Sequence, residues 1–378
     1  MIAAMSRGAR TALGFAVIVV VTAGATAARL RAHDLERTTV HLALAVDGRF
    51  TLRLAHDPAW LLLRLERFAG QAGSASTTDA AARDARLREW AGVMIDRIVL
   101  FVDGHEVRPT DAEYAPPPAD APPGQFALAA YTLRGQMPEG ARTLRWYYGM
   151  VVDPYPFTLT LADGSETTEW VQGDAWSTSL PLGGPFTRPS WTERLRQYVA
   201  LGFVHILPRG LDHILFVLGL FLLRAQLRPV LVQVTTFTVA HSLTLGLSLY
   251  GAVRLPAAVV EPLIALSIVY VAVENLRTRT LSRWRIALVF VFGLLHGLGF
   301  AGVLTDLALP RSDFTVALAG FNLGVEIGQL TVIAAAAVLV GWCRHRPWYH
   351  GRVVVPASLA IAVVGIYWTI TRLQTSIL

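Results

Sequence analysis

The sequence predicts a membrane protein: a six-span α-helical bundle preceded by an exported, β-rich, sandwich-like domain. Three observations carry this prediction. The 378 residues are 53% hydrophobic and only 16% charged, and the apolar excess is concentrated after Tyr198. Before about Arg196 the chain is mixed and polar, with short runs that alternate apolar and polar residues. Arginines between the apolar segments fall mainly into every second loop. The chain accordingly divides into residues 1–27, a signal peptide; 28–190, the exported domain; and 191–378, the membrane domain.

The signal reading rests on Arg7 and Arg10, the apolar stretch Ala12 to Val21 and the small residues Ala25-Thr26-Ala27. The apolar stretch is short for a spanning helix, so cleavage is the expected fate and an uncleaved anchor the alternative. Alternating segments follow at 38–46, 49–55, 97–102, 105–109, 143–152, 157–162 and 167–172. A period of two is the mark of strands with one buried face. Asp47-Gly48, Asp103-Gly104 and Asp163-Gly164 separate such runs, and Asp-Gly supplies the positive φ angles of tight hairpins. A mostly antiparallel sandwich over about 33–185 results. Thr78 to Val93 interrupts it with Ala81, Leu87, Trp90 and Ala91 at helical spacing, Thr78 serving as cap. Ala115 to Gly124 reads as a loop.

The spans are 198–223, 229–250, 256–276, 285–306, 315–340 and 352–371, each long enough to cross about 30 Å of hydrocarbon. Arg224 and Arg228 follow the first, Arg277, Arg279, Arg283 and Arg285 surround the third loop, and Arg344, Arg346 and Arg352 follow the fifth. Only Arg254 and Arg311 occupy the loops between. The positive-inside rule sends the arginine-rich loops to the cytoplasm and the β-domain and C-terminus outside. That orientation agrees with the signal peptide and predicts a multi-pass protein of the bacterial inner membrane with a periplasmic or extracellular N-terminal domain. The net charge of +6 therefore reports topology, and no nucleic-acid partner is expected. Cys343 is the sole cysteine, which excludes an intrachain disulfide and thiolate metal cages. No Gly-x4-Gly-Lys phosphate loop, His-Glu-x-x-His helix or Gly-x-Ser-x-Gly elbow occurs.

Ionisable residues inside spans cost about 2.5–3.5 kcal/mol each on insertion scales and mark substrate and ion pathways. Asp212 and His213 fall near the middle of span one, His241 of span two, His296 of span four, and Asn322 and Glu326 of span five. Spans of opposite direction thus place polar groups in one layer. At about 100° per residue, Asn322, Glu326 and Gln329 share one stripe of span five, and Gly320, Gly324 and Gly328 the opposite one. Gly293 and Gly297 flank His296, and glycines at this spacing permit close helix contact. Pro208-Arg209-Gly210 predicts a broken span between His205 and Asp212, which an unbroken helix would put on one side. Imidazole and carboxylate together suit nickel, cobalt or zinc. The expected metal set is His205, Asp212, His213, His241, His296, Asn322 and Glu326, with Asp212 alternatively orienting His213 from behind. Glu261, Glu274, Asn275, Gln329 and Ser242 are expected along the pathway or behind the ligands. The plainer readings are interhelical hydrogen bonds for the histidines and Glu326, and packing roles for Thr235, Thr236, Thr238 and Ser242. His33, His41, His56 and His105 read as scattered surface histidines.

The motifs as a group resemble the HupE/UreJ membrane proteins, specifically the branch with an extra exported N-terminal domain. The resemblance is carried by His205, Gly210-Leu211-Asp212-His213, Thr236-Phe237-Thr238 with His241-Ser242, Glu274-Asn275, His296-Gly297, and Phe321-Asn322 with Glu326, Gly328 and Gln329, over roughly 195–340. It implies a nickel or cobalt permease associated with maturation of nickel enzymes. The expected partners are then the lipid bilayer, a divalent metal ion and metalloenzyme maturation proteins. A separate nickel/cobalt permease family carries His-x4-Asp-His; the longer spacing here resembles it only loosely. From the residues alone, two alternatives stay open: an intramembrane zinc-dependent hydrolase, and a metal- or haem-binding accessory protein without flux.

Overall fold

A computed structural model of the chain describes residues 38–70, 79–118, 128–183, 186, 190–223, 226–253, 255–278, 284–306 and 314–377. The expected signal segment, His33 and Thr78 lie outside the described residues. The chain forms two compact units that divide between Ser190 and Trp191.

Among the described residues the first unit holds ten strands: β1 Thr38–Leu44, β2 Arg49–His56, β3 Ile98–Val102, β4 His105–Val107, β5 Asp111–Ala115, β6 Ala129–Gln136, β7 Thr143–Tyr148, β8 Tyr155–Thr160, β9 Glu166–Val171 and β10 Leu180–Pro181. They form a six-stranded sheet, β5-β6-β2-β1-β8-β9, and a four-stranded sheet, β10-β7-β3-β4. All pairs are antiparallel except β1 with β8. The three Asp-Gly pairs turn β1 into β2, β3 into β4 and β8 into β9. At the second, Asp103 (φ 47°) and Gly104 (φ 88°) are both left-handed, as a tight two-residue hairpin demands. The two sheets share one core: Trp146 of β7 stacks on Phe157 of β8 at 5.2 Å and donates its indole N–H to Tyr155 Oη at 2.9 Å.

Sequence alternation missed β5, β6 and β10, and it missed α1, Pro58–Phe68. The signal for α1 was present: Asp57 accepts from the N–H groups of Ala59 and Trp60, Pro58 opens the first turn, and Leu61, Leu62 and Leu65 bury one face. The helix expected over 78–93 is α2, Ala80–Glu89, followed by α3, Ala91–Ile95. Its cap is Asp79, whose carboxylate accepts from Ala81 N. His56 is not on the surface. It is fully buried, with Nδ1 3.0 Å from Thr38 Oγ1 and Nε2 2.9 Å from Tyr148 Oη, and burial pushes its pKa down to about 3. His41 and His105 are exposed.

The second unit is helical: α4 Trp191–Ile206, α5 Leu211–Leu223, α6 Leu227–Leu249, α7 Ala257–Arg277, α8 Arg285–Asp306, α9 Phe314–Val340 and α10 Val355–Ile377, the last entered through a π-helical turn at His350–Val354. Among the described residues, α6, α7, α9 and α10 with its leading turn are long and apolar enough to cross a membrane. The pair α4 and α5, bent by 71° at the Pro208 break, counts as a fifth span if taken together. Burial runs opposite to that of a water-soluble bundle. Val232, Val239, Leu243 and Leu247 of α6 are exposed, whereas Gln233 and His241 of the same helix are buried. Apolar side chains outside and polar ones inside suit a hydrocarbon solvent.

Glycine sets which helices touch. The Gly320–Gly324–Gly328 stripe of α9 lies on α4: a Cβ at Gly324 would come within 2.7 Å of Phe203 N and 2.9 Å of Gly202 Cα, and one at Gly328 within 2.7 Å of Ile206 Cβ. On α8, a Cβ at Gly293 would meet Phe237 O at 2.6 Å, and one at Gly297 would strike the His241 carbonyl. These two contacts draw α4 onto α9 and α8 onto α6, the helices that carry the polar layer.

Candidate metal centre

The break at Pro208 decides which polar groups meet. His205 sits in the last turn of α4, and Asp212 and His213 in the first turn of α5. An unbroken helix would align His205 with Asp212. The bend instead sets His205 against His213, ring centroids 4.9 Å apart. His241 of α6 completes a trio, its ring 6.0 Å from that of His213 and 6.4 Å from that of His205. One ring nitrogen from each of the three lies within 4.8 Å of the others, and all three side chains are buried. Metal–imidazole bonds of about 2.0–2.1 Å put tetrahedral ligand nitrogens about 3.4 Å apart. No pair of these nitrogens exceeds that spacing by more than about 1.4 Å.

Hydrogen bonds assign the protons. Asn322 donates its Nδ2 to Leu318 O at 2.8 Å, which leaves Oδ1 facing His241 Nδ1 at 3.1 Å. An amide oxygen only accepts, so His241 carries its proton on Nδ1 and presents the Nε2 lone pair, the arrangement a metal ligand needs. Nε2 has no hydrogen-bond partner among the described residues. His296 of α8 lies beside the trio, 4.8 Å from the His213 ring. Ser267 Oγ donates to Ile264 O at 2.7 Å and faces His296 Nε2 at 3.1 Å, so that nitrogen donates and Nδ1 keeps the lone pair. Phe216, Phe237 and Phe321 wall the cluster: Phe237 is 5.0 Å from His296, and Phe321 5.3 Å from His205.

The remaining expected residues are held elsewhere. Asp212 forms an ion pair with Arg372 of α10 through Oδ2 at 2.9 Å, both side chains buried. Glu326 accepts from Thr235 Oγ1 at 2.8 Å and from Thr238 Oγ1, and Thr238 Oγ1 lies 3.0 Å from the Gln329 side-chain amide. This group lies one helical turn from His241 and Asn322 along both α6 and α9. Glu274 pairs with Arg285 at 2.6 Å, and Arg285 reaches Gln233 at 2.7 Å. Asn275 ties α7 to Gly219 O at 2.8 Å and to Ser358 Oγ at 3.3 Å. Glu261 contributes its backbone carbonyl to Arg372 at 2.9 Å. Ser242, expected along the pathway or behind the ligands, bonds back to Thr238 O at 2.7 Å. Sequence reasoning passed over Ser267 and Arg372. A serine inside a span gives no signal by itself. Arg372 was placed just past the last span, whereas the helix there continues to Ile377.

Residues 185–372 match the family model described as HupE / UreJ protein. Over that region the chain belongs to the HupE/UreJ family, as its motifs suggest. No curated protein and no solved structure matches the chain.

Proposed function

We propose that this HupE/UreJ family member is a six-span divalent metal permease, nickel or cobalt being its cargo. The buried trio His205, His213 and His241 is the observation that carries the reading. Family membership supports it, since the family is associated with metal transport. A permeation site must strip water from the ion yet release it. Three neutral imidazoles with a fourth alongside do so better than a closed thiolate cage. Asn322 and Ser267 fix the tautomers of His241 and His296. Glu326, with Thr235, Thr238 and Gln329, offers oxygen ligands one turn further along the path, and Glu274 with Asn275 lies beyond it.

The sixth span is α8, and the arginine-rich loops lie in the cytoplasm. The β-rich unit is then exported from a bacterial inner membrane and the signal peptide cleaved. Ions released inside pass to metalloenzyme maturation proteins.

The test is uptake of Ni²⁺, Co²⁺ and Zn²⁺ into proteoliposomes, comparing wild type with His213→Ala, His296→Ala and Glu326→Gln. His213→Ala removes most of the flux, and Glu326→Gln slows it with smaller loss of binding. Unchanged flux in all three variants refutes the site. Zinc that binds without exchanging, with no flux, overturns the permease in favour of a hydrolase or an accessory protein.

A further inference from the structure

Three neutral imidazoles bring no negative charge to a buried dication, and an uncompensated ion in low dielectric is costly. The nearest carboxylate by sequence, Asp212, precedes the ligand His213 and is spoken for by Arg372. Arg372 Nη2 meets Asp212 Oδ2 at 2.9 Å, and its Nη1 meets the backbone carbonyl of Glu261 at 2.9 Å. The guanidinium thus joins α5, α7 and α10. Trp368, one turn earlier on α10, lies 5.6 Å beneath it. Asp212 is 1% exposed and Arg372 7%, so solvent screens neither. Asp212 also stands in the first turn of α5, where the helix dipole favours an anion.

We infer that Arg372 is a positioning residue that competes with the cargo ion for the charge of Asp212 and thereby sets how tightly the histidine trio holds metal. This rests on the reading of the trio as the transport site. With Arg372 docked, the Asp212 charge is neutralised, and the trio binds a dication weakly enough to release it. With Arg372 drawn off, Asp212 projects its full charge onto the ion beside it. The pair is a local counter-charge that the incoming ion has to outbid. Coulomb's law at an effective dielectric constant of about 20 makes removal of a unit positive charge worth more than tenfold in affinity for a dication anywhere within about 20 Å.

The test measures Ni²⁺ affinity and Co²⁺ absorption spectra on the monodisperse full-length protein in nanodiscs, for wild type, Arg372→Gln, Arg372→Lys, Asp212→Asn and the Arg372→Gln/Asp212→Asn double variant, with His213→Ala as the floor. Arg372→Gln binds Ni²⁺ at least tenfold more tightly and releases it more slowly. Arg372→Lys stays near wild type. Asp212→Asn binds more weakly because it leaves the guanidinium uncompensated beside the site. The double variant returns toward wild type. A purely structural pair predicts lower stability with unchanged affinity in the folded fraction. Unchanged or weaker binding by folded Arg372→Gln overturns the inference, as does Asp212→Asn with wild-type affinity should Arg372→Gln not fold. If wild type binds and His213→Ala does not, such a result leaves the transport site standing. Absence of saturable binding in wild type removes both.

Discussion

Replacing Asn322 with leucine keeps most of the side-chain volume and removes the acceptor that holds the Nδ1 proton of His241 at 3.1 Å. Two consequences follow from the geometry. The Nδ1–H is left buried without a partner, at a cost of about 1–3 kcal/mol. The imidazole can then move its proton to Nε2, and in that tautomer the nitrogen facing the trio has no lone pair to offer. Loss of such an orienting partner typically weakens metal binding about 10–100-fold, or about 1.4–2.8 kcal/mol. Asn322→Asp retains an acceptor at the same place and adds a charge that strengthens the His241 ligand, so its affinity equals or exceeds that of wild type. Calorimetric titration of the full-length protein with Ni²⁺ checks the series, with His241→Ala as the floor. Affinity within about twofold of wild type in Asn322→Leu, while His241→Ala abolishes binding, refutes the argument; the stacking of His241 on Phe237 and Phe321 would then be what aims the ring.

Three other perturbations test separate parts of the structure. Gly324→Val forces α9 from α4 at the contact where even a Cβ would approach Gly202 Cα to 2.9 Å; it destabilises by about 1–3 kcal/mol and weakens metal binding through His205 with no polar group altered, as thermal melts and titration would report. Ser267→Ala releases the His296 Nε2 proton held at 3.1 Å; because His296 stands beside the trio, Ni²⁺ affinity falls less than it does in Asn322→Leu. His56 has its pKa lowered from 6.5 to about 3 by burial, so between those values the unfolded chain binds more protons than the folded one. Its stabilising contribution is complete above pH 6.5 and declines by about 1.4 kcal/mol per unit as pH falls. Amide exchange of β1 and β2 in the full-length protein should quicken over that range, and His56→Leu should flatten the slope.

The polar layer was legible because lipid makes it so: few chance substitutions put His213, His241, His296, Asn322 and Glu326 inside apolar helices. The hairpins were legible because Asp-Gly has few other uses. What the sequence hid were the pairings. Glycine spacing predicted that α9 packs closely through one face, yet nothing in it named α4 as the neighbour. Helical phase put Asn322, Glu326 and Gln329 on one stripe, but only tertiary packing separates Asn322, which serves His241, from Glu326, which is held by Thr235 and Thr238. β5 escaped because DAEYA alternates over too few residues before the proline-rich loop, and β6 because AAYTLRGQ does not alternate cleanly between apolar and polar residues. Arg372 escaped because a cation near the end of a span is ordinarily a membrane-surface anchor.

The helix break has a consequence for charge as well as for geometry. In a straight span one, His205 and Asp212 would project together, and a mixed imidazole–carboxylate site would be the natural outcome. Gly210 is required for the turn that prevents this, since a Cβ there would strike the His205 carbonyl and lie 3.1 Å from Ile206 Cα. Once α5 departs at 71°, the residue facing His205 is His213, and Asp212 points toward α10. The turn therefore sorts neutral ligands from the anion, giving the imidazoles to one another and the carboxylate to a guanidinium. A site sorted in this way binds through nitrogen donors whose strength is set by proton placement, while its charge balance is controlled from a different helix. Ligand strength and charge balance can then be changed independently: the first through Asn322 and Ser267, the second through Arg372.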